Sequence, residues 1–146
     1  GEYQVHVHLY DGYRRCIDSF KAYTDMCFEL LDPQVASKLF LPDWPIYTKS
    51  HDTPPSIYGE NSVVQNSFVA NGAIIEGTVI NSIIARGVKV SKGAVVRDSI
   101  VFSSTKLGEG SKVEHALIDK YVIVTRDKTV NGTKDKIAYV HQGAII

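Results

Sequence analysis

The sequence predicts a mainly β fold, a parallel β-solenoid preceded by a strand-helix arm, and three observations carry that prediction. A large apolar residue recurs at Tyr58, Val64, Val69, Ile75, Ile80, Ile84, Val90, Val96, Val101, Leu107, Val113, Ile118, Val124 and Val130, in steps of 6, 5, 6, 5, 4, 6, 6, 5, 6, 6, 5, 6 and 6 residues. Two residues before each mark stands Ser, Thr, Ala or Val in thirteen of fourteen cases, Lys128 being the exception. Three residues before, ten of the fourteen are Gly, Asn or Asp: Gly72, Gly77, Gly87, Gly93, Gly110, Asn61, Asn66, Asn81, Asp98 and Asp127. A period near six fits neither a helix nor a hairpin meander; it fits a short strand followed by a sharp corner, where Gly, Asn and Asp accept left-handed backbone most readily. Three such units make one coil of a triangular prism, with the large residue stacked inward and the small one filling the narrow axis.

Composition bounds the rest. At 146 residues the chain is long enough for one domain with a sizeable core. Sixteen basic and sixteen acidic residues balance, so no global charge points to nucleic acid or an anionic membrane. The first 55 residues carry a net charge of −3 and the remainder +3, a difference small enough for ordinary solvated surfaces. The two cysteines, Cys16 and Cys27, lack Cys-x-x-Cys spacing and read as free thiols of a reducing compartment. With no apolar run of eighteen and no signal peptide, a cytoplasmic location is expected.

In chain order, Glu2 to Tyr10 alternate, with Tyr3, Val5, Val7 and Leu9 on one face, which predicts a half-buried strand. His6 and His8 share its other face at a spacing that can chelate a metal, but no third ligand lies nearby in sequence, so an exposed strand face is the plainer account. Asp11-Gly12 is a turn. A helix starts at Asp18 or Ser19, either of which can cap it, and buries a stripe of Phe20, Tyr23, Cys27, Leu30 and Leu31. Asp32-Pro33 ends it, and Val35 to Phe40 supply a second short helix. Four prolines and Trp44 between Leu41 and Pro55 predict an irregular connection. An open solenoid end exposes unpaired strand edges, and capping it is the expected task of this arm. The domain limits are therefore 1–55 for the arm, 56–132 for the solenoid and 133–146 for closing strand segments around Gly143. The coil from Ile75 through Ile80 to Ile84 takes the shortest steps, so a local narrowing or bulge is expected there.

The repeat resembles the hexapeptide-repeat, left-handed β-helix domains, and the left hand rests on that resemblance. The segments Gly12-Tyr13, Ile17-Asp18-Ser19-Phe20, Leu30-Leu31, Asp43-Trp44-Pro45-Ile46-Tyr47-Thr48 and Pro54-Pro55 are similar to bacterial glucose-1-phosphate adenylyltransferase (ADP-glucose pyrophosphorylase). So is the closing Tyr139-Val140 with Gly143-Ala144-Ile145-Ile146. The likeness covers essentially the whole chain and only the C-terminal third of that family. It implies a parent that makes ADP-glucose and diphosphate from ATP and glucose 1-phosphate for glycogen synthesis. It also implies an upstream catalytic domain, and a β-helix that carries subunit contacts and effector coupling.

Two departures qualify the resemblance. The chain contains no Gly-rich phosphate loop after a strand, so ATP and magnesium are expected only with the upstream domain. Catalytic members carry an Asp-Val-Gly-Thr segment between the Gly-Tyr turn and the helix, whose Asp helps hold magnesium. Here Arg14-Arg15-Cys16-Ile17-Asp18 follows the turn, the segment is shortened and its Asp is missing. A phosphoryl-transfer site without its metal carboxylate loses the main neutraliser of developing charge. This altered segment resembles the D-type glycogen biosynthesis protein, which implies a regulatory partner of a C-type catalytic subunit within a homo- or hetero-oligomer.

No catalytic, cofactor-binding or metal-binding residue is expected within this chain. A hexapeptide acyltransferase or γ-class carbonic anhydrase is the alternative enzyme class, and a ligand-free interaction scaffold the plain one. The solenoid holds one histidine, His115, at a corner, too few for a three-histidine zinc site, and no inserted loop interrupts Tyr58 to Val130. Arg14 and Arg15 can meet an effector phosphate or, more simply, acidic groups of the upstream catalytic domain. Arg86, Lys89, Lys92, Arg97, Lys106 and Lys112 are spread over successive coils and can line one face toward an anionic sugar-phosphate effector; solvated faces are the simpler account.

Overall fold

Parallel strands share one hydrogen-bond ladder only when every coil returns the chain to the same register, and fifteen short strands among the described residues do so. The computed structural model describes residues 3–49 and 52–146. The first coil contains β1 (Ile57–Tyr58), β2 (Val63–Gln65) and β3 (Phe68–Val69); the second β4 (Ile74–Ile75), β5 (Thr78–Ile80) and β6 (Ile83–Ile84). The third contains β7 (Lys89–Val90), β8 (Val95–Arg97) and β9 (Ile100–Val101). The fourth contains β10 (Lys106–Leu107), β11 (Lys112–Glu114) and β12 (Ala116–Ile118), and the fifth β13 (Ile123–Val124), β14 (Thr129–Asn131) and β15 (Ala138–Val140). They stack into three five-stranded parallel sheets, β1-β4-β7-β10-β13, β2-β5-β8-β11-β14 and β3-β6-β9-β12-β15.

The inward ladder is the predicted one with one change of register, and with Tyr58, in the first coil, 52% exposed rather than buried. Ile75, Ile84, Val90, Val96, Val101, Leu107, Val113, Ile118 and Val124 are buried to within 1%. In the second coil, however, Val64 pairs with Val79 and Val79 with Val96, so Val79 is the stacked residue. Ile80 lies beside Gln65 and Arg97 and is only half-buried. In a strand adjacent residues face opposite sides, so pairing register rather than apolarity chooses between two aliphatic neighbours.

The corners behave as the small and left-handed residues require. Of the fourteen positions three residues before the marks, all but Pro55, Asn61 and Gly77 have positive φ, including Ser104, His115 and Tyr121. At one corner Asn66 Nδ2 donates to Asn81 Oδ1 at 2.9 Å, and Asn81 Nδ2 donates to Asp98 Oδ1. His115 Nε2 stands 4.0 Å from Asp98 Oδ2 in the next coil. Beside this column runs a serine ladder. Ser82 accepts from Ser99 N at 3.2 Å while donating to Ile80 O at 2.7 Å, and Ser99 accepts from Ala116 N at 3.1 Å while donating to Arg97 O. Each buried hydroxyl thus satisfies a backbone group that the tight corner would otherwise leave unpaired.

The C-terminal segments belong to the solenoid itself. β15 pairs with β12, and Ile145 bridges Ile123 in parallel to begin a sixth coil. The two compact units part between Tyr47 and Thr48, upstream of the Pro55–Ser56 limit expected from composition.

In the other unit, Ser19 caps α1 (Phe20–Glu29), its Oγ accepting from Ala22 N at 3.1 Å. Asp32 caps α2 (Pro33–Leu39), accepting from Gln34 N at 2.8 Å with Pro33 in the first turn. Thr24, Cys27 and Leu31 are buried, whereas Phe20 is exposed. The strand expected at 2–10 is not formed over the described residues 3–10. Tyr3, Val5, Val7 and Leu9 are all exposed, and alternation produces a strand only where a neighbour supplies the ladder.

Register makes a direct test. Val79→Asp abolishes the folded state, whereas Ile80→Asp stays folded with a loss on the order of 1 kcal/mol, read from circular dichroism and urea titration.

Candidate functional site

The residues singled out in sequence do not converge. Among the described residues no group of three His, Cys, Asp or Glu side chains is placed to hold a metal. His6 and His8 lie on the exposed N-terminal segment, and His115 stands at its corner beside Asp98. Arg15 is engaged within the arm: its Nε donates to Glu29 Oε2 at 2.8 Å, its Nη2 pairs with Glu29 Oε1, and Tyr13 Oη donates to the same carboxylate at 3.2 Å. Hydrogen bonding to Glu29 raises the already high pKa of the guanidinium. The partner of Arg15 is thus a carboxylate of the arm itself, neither an effector phosphate nor an acidic group of an upstream domain.

Nor do the six basic residues singled out from the sequence line one face. Lys89 and Lys106 are neighbours in register on the first sheet, Arg97 and Lys112 sit on the second, and Arg86 and Lys92 occupy two different corners. Lys89 lies 3.9 Å from Glu76, and Arg97 lies 3.8 Å from Glu114. The marks could not reveal this, because face depends on strand-by-strand register.

Two other clusters were not anticipated. Asp119 accepts from Lys120 N at 2.7 Å and from Tyr139 Oη at 2.8 Å, bonds that hold its carboxyl below the usual range. Tyr139 meets the ring of His141 edge-on at 4.7 Å between centroids. In the arm, burial first and Cys27 second push Tyr23 up to about 12.

A concavity in the solenoid follows from a shortened coil. Tyr58 to Ile75, Val90 to Leu107 and Leu107 to Val124 are each 17 residues, but Ile75 to Val90 is 15. The missing pair belongs to the first corner. In the other coils that corner is a four-residue turn closed by an N–H to C=O bond: Ser62 to Gly59, Ala94 to Ser91, Ser111 to Gly108 and Lys128 to Thr125, at 3.0 to 3.3 Å. In the second coil Glu76 passes directly into Gly77. The shortest steps did mark an irregular coil, and the irregularity is a narrowing on its first corner.

Gly77 is therefore not a left-handed corner residue but occupies the small inward position of Ser62, Ala94 and Ser111. A Cβ there would stand 2.3 Å from Ala94 O and 2.7 Å from Ser91 O, so no side chain fits. The shortened corner leaves a notch of about 470 Å³ lined by Gly59, Glu60, Asn61, Glu76, Gly77, Thr78, Lys92 and Gly93. Below it the corner tips are hydrogen-bonded coil to coil, Gly110 N to Lys92 O at 3.2 Å and Asp127 N to Glu109 O at 2.9 Å. At the notch this column stops. Among the described residues Gly93 N–H and Glu60 C=O, which would bond the missing tip, have no hydrogen-bond partner, and the Glu60 and Lys92 side chains have no ion-pair partner.

Comparison with known proteins adds to this geometry. The family described as GlmU-like, C-terminal hexapeptide matches residues 55–142. The glycogen biosynthesis protein GlgD of Bacillus subtilis (strain 168) is 38% identical over 136 residues, covering 93% of this chain and 40% of that protein. The glucose-1-phosphate adenylyltransferase of Acetivibrio thermocellus is 35% identical over 121 residues, 83% of this chain and 28% of that protein. That of Fervidobacterium nodosum is 31% identical over 121 residues, 83% and 29% respectively. The chain thus spans well under half the length of these relatives.

Two measurements check the local chemistry. Gly77→Ala costs at least about 1–3 kcal/mol in urea unfolding, because the new methyl meets backbone oxygens rather than a flexible side chain. For Tyr23 the folded pKa lies above the unfolded one near 10, so its contribution is complete below pH 10 and declines as pH rises toward about 12. Tyr23→Phe flattens that part of the stability-pH curve.

Proposed function

The chain belongs to the GlmU-like C-terminal hexapeptide family, and from that premise we propose that it is the β-helix part of an ADP-glucose pyrophosphorylase-like subunit of glycogen biosynthesis, of the D type. The observation that carries the reading is the 38% identity to GlgD across both the arm and the solenoid. The Arg14–Asp18 segment, which departs from the magnesium-holding pattern of catalytic members, supports the D-type assignment. The whole subunit supports formation of ADP-glucose and diphosphate from ATP and glucose 1-phosphate. ATP and magnesium belong to its catalytic domain, and the solenoid contributes subunit contacts.

Coupling follows from stiffness. A continuous parallel ladder moves as one body, so an anionic sugar-phosphate effector acts by favouring one placement of the catalytic domain on the solenoid over another. In this role the subunit works in the cytoplasm with a C-type catalytic partner as a hetero-oligomer. No helix among the described residues is long and apolar enough to cross a membrane, which accords with that setting.

Mixing the full-length subunit with its C-type partner and following ADP-glucose synthesis tests the proposal. The expected result is a changed rate or effector response of the mixture relative to the partner alone. An unchanged rate and response at saturating subunit would overturn it.

A further inference from the structure

The notch and a projecting turn elsewhere on the chain have matching chemistry. Between β14 and β15 the second corner is lengthened: Ile123 to its bridge partner Ile145 is 22 residues instead of 17. The additional residues form a turn, Thr133 to Lys136, in which Lys136 N donates to Thr133 O at 3.1 Å and Thr133 N to Lys136 O at 2.9 Å. Thr133 Oγ1 also accepts from Lys136 N at 3.0 Å. Its sequence, Thr133-Lys134-Asp135-Lys136, repeats the first-corner turn Thr125-Arg126-Asp127-Lys128 with a single Arg-to-Lys change. Both turns are closed by the same bond from the final Lys to the initial Thr. The chain lacks one corner turn in its second coil and carries a turn of the same sequence pattern beside its fifth, although Asp127 has positive φ and Asp135 does not.

The ladder below the notch shows how such a turn is held. Asp127 N donates to Glu109 O at 2.9 Å, and Arg126 Nη1 stands 3.6 Å from Glu109 Oε2 in the coil above. The coil above the notch presents the same groups, with Glu60 in the place of Glu109 and its carbonyl unpaired. The coil below presents the unpaired Gly93 N–H, whose counterpart Gly110 N bonds Lys92 O. The slot is one coil high, about 5 Å from strand to strand on either side. Lys134 and Asp135 are exposed and without an ion-pair partner among the described residues.

We propose that the notch at Glu76-Gly77 receives the Thr133–Lys136 turn of a second copy of this chain, which supplies the missing rung. Asp135 N–H donates to Glu60 C=O, Lys134 C=O accepts from Gly93 N–H, and the Lys134 ammonium meets the Glu60 carboxylate while the Asp135 carboxylate meets Lys92. The turn lies three coils from the notch and on a different corner, so one chain cannot fill its own slot. Two different surfaces meet, which makes the contact heterologous; it either closes into a ring or runs on. A rung of two residues buries far less than the roughly 1,200 Å² of a stable interface, so the contact is weak and orients copies already brought together at high concentration.

Sedimentation equilibrium on the 146-residue chain over a wide concentration range tests this, with circular dichroism confirming that each variant is folded. Wild type is expected to show concentration-dependent association. Glu60→Lys and Lys134→Glu each weaken it by about fivefold, the upper range for an exposed ion pair, and the double variant recovers it because the pair is restored with reversed sign. Inserting a two-residue turn between Glu76 and Gly77, which completes the coil, abolishes the association without changing any charge. Absence of association in the wild type, indifference to the single reversals, or failure of the double variant to recover would each overturn the proposal. None of these outcomes bears on the ADP-glucose assay, which concerns a different partner.

Discussion

Everything in the solenoid depends on the parallel ladder returning to register after each circuit. A parallel strand takes its bonds from the coil above and gives them to the coil below, so an error in one circuit displaces every contact beneath it. This demand explains why chemically different residues share a column. Asn66, Asn81, Asp98 and His115 stand at one corner because each sustains positive φ there and bonds or faces its neighbour. Ser82 and Ser99 are buried because their hydroxyls bridge consecutive corner backbones. The apolar stack supplies most of the driving force, while the corners determine which coil a residue belongs to.

The two departures from a 17-residue circuit are then informative, since each leaves the ladder beyond it in register. At Glu76-Gly77 the chain omits a whole corner turn, and the small-residue position takes the only residue whose missing Cβ lets the backbone cut across. At 132–137 it adds residues outside the strands, so that β15 still joins β12. Neither change disturbs the core, and both alter the surface. For a subunit whose proposed role is contact and coupling, the surface is where such departures can act without cost to folding.

The arm presents the opposite case. Its helices and caps follow local rules, with Ser19 and Asp32 each bonding an otherwise orphaned amide. Its extended segment follows no local rule strongly enough to form a strand, because a strand's energy lies in its partner. Trp44, Ile46 and Tyr47, central to the family signature, are exposed in this chain. Their conspicuous apolarity was legible in sequence; their exposure was not.

The sequence by itself determined the solenoid, most of its inward stack, its corners, both helices and the family, because each rests on local steric preference repeated many times. Only the tertiary structure decided between Val79 and Ile80, assigned Gly77 to the inward column, placed Tyr139 beside Asp119 and showed the basic residues dispersed over sheets and corners. These depend on register between residues about 15 to 22 positions apart, where one step exchanges inside for outside. Two adjacent aliphatic residues look alike in a list. They differ once a neighbouring coil has chosen which of them it faces.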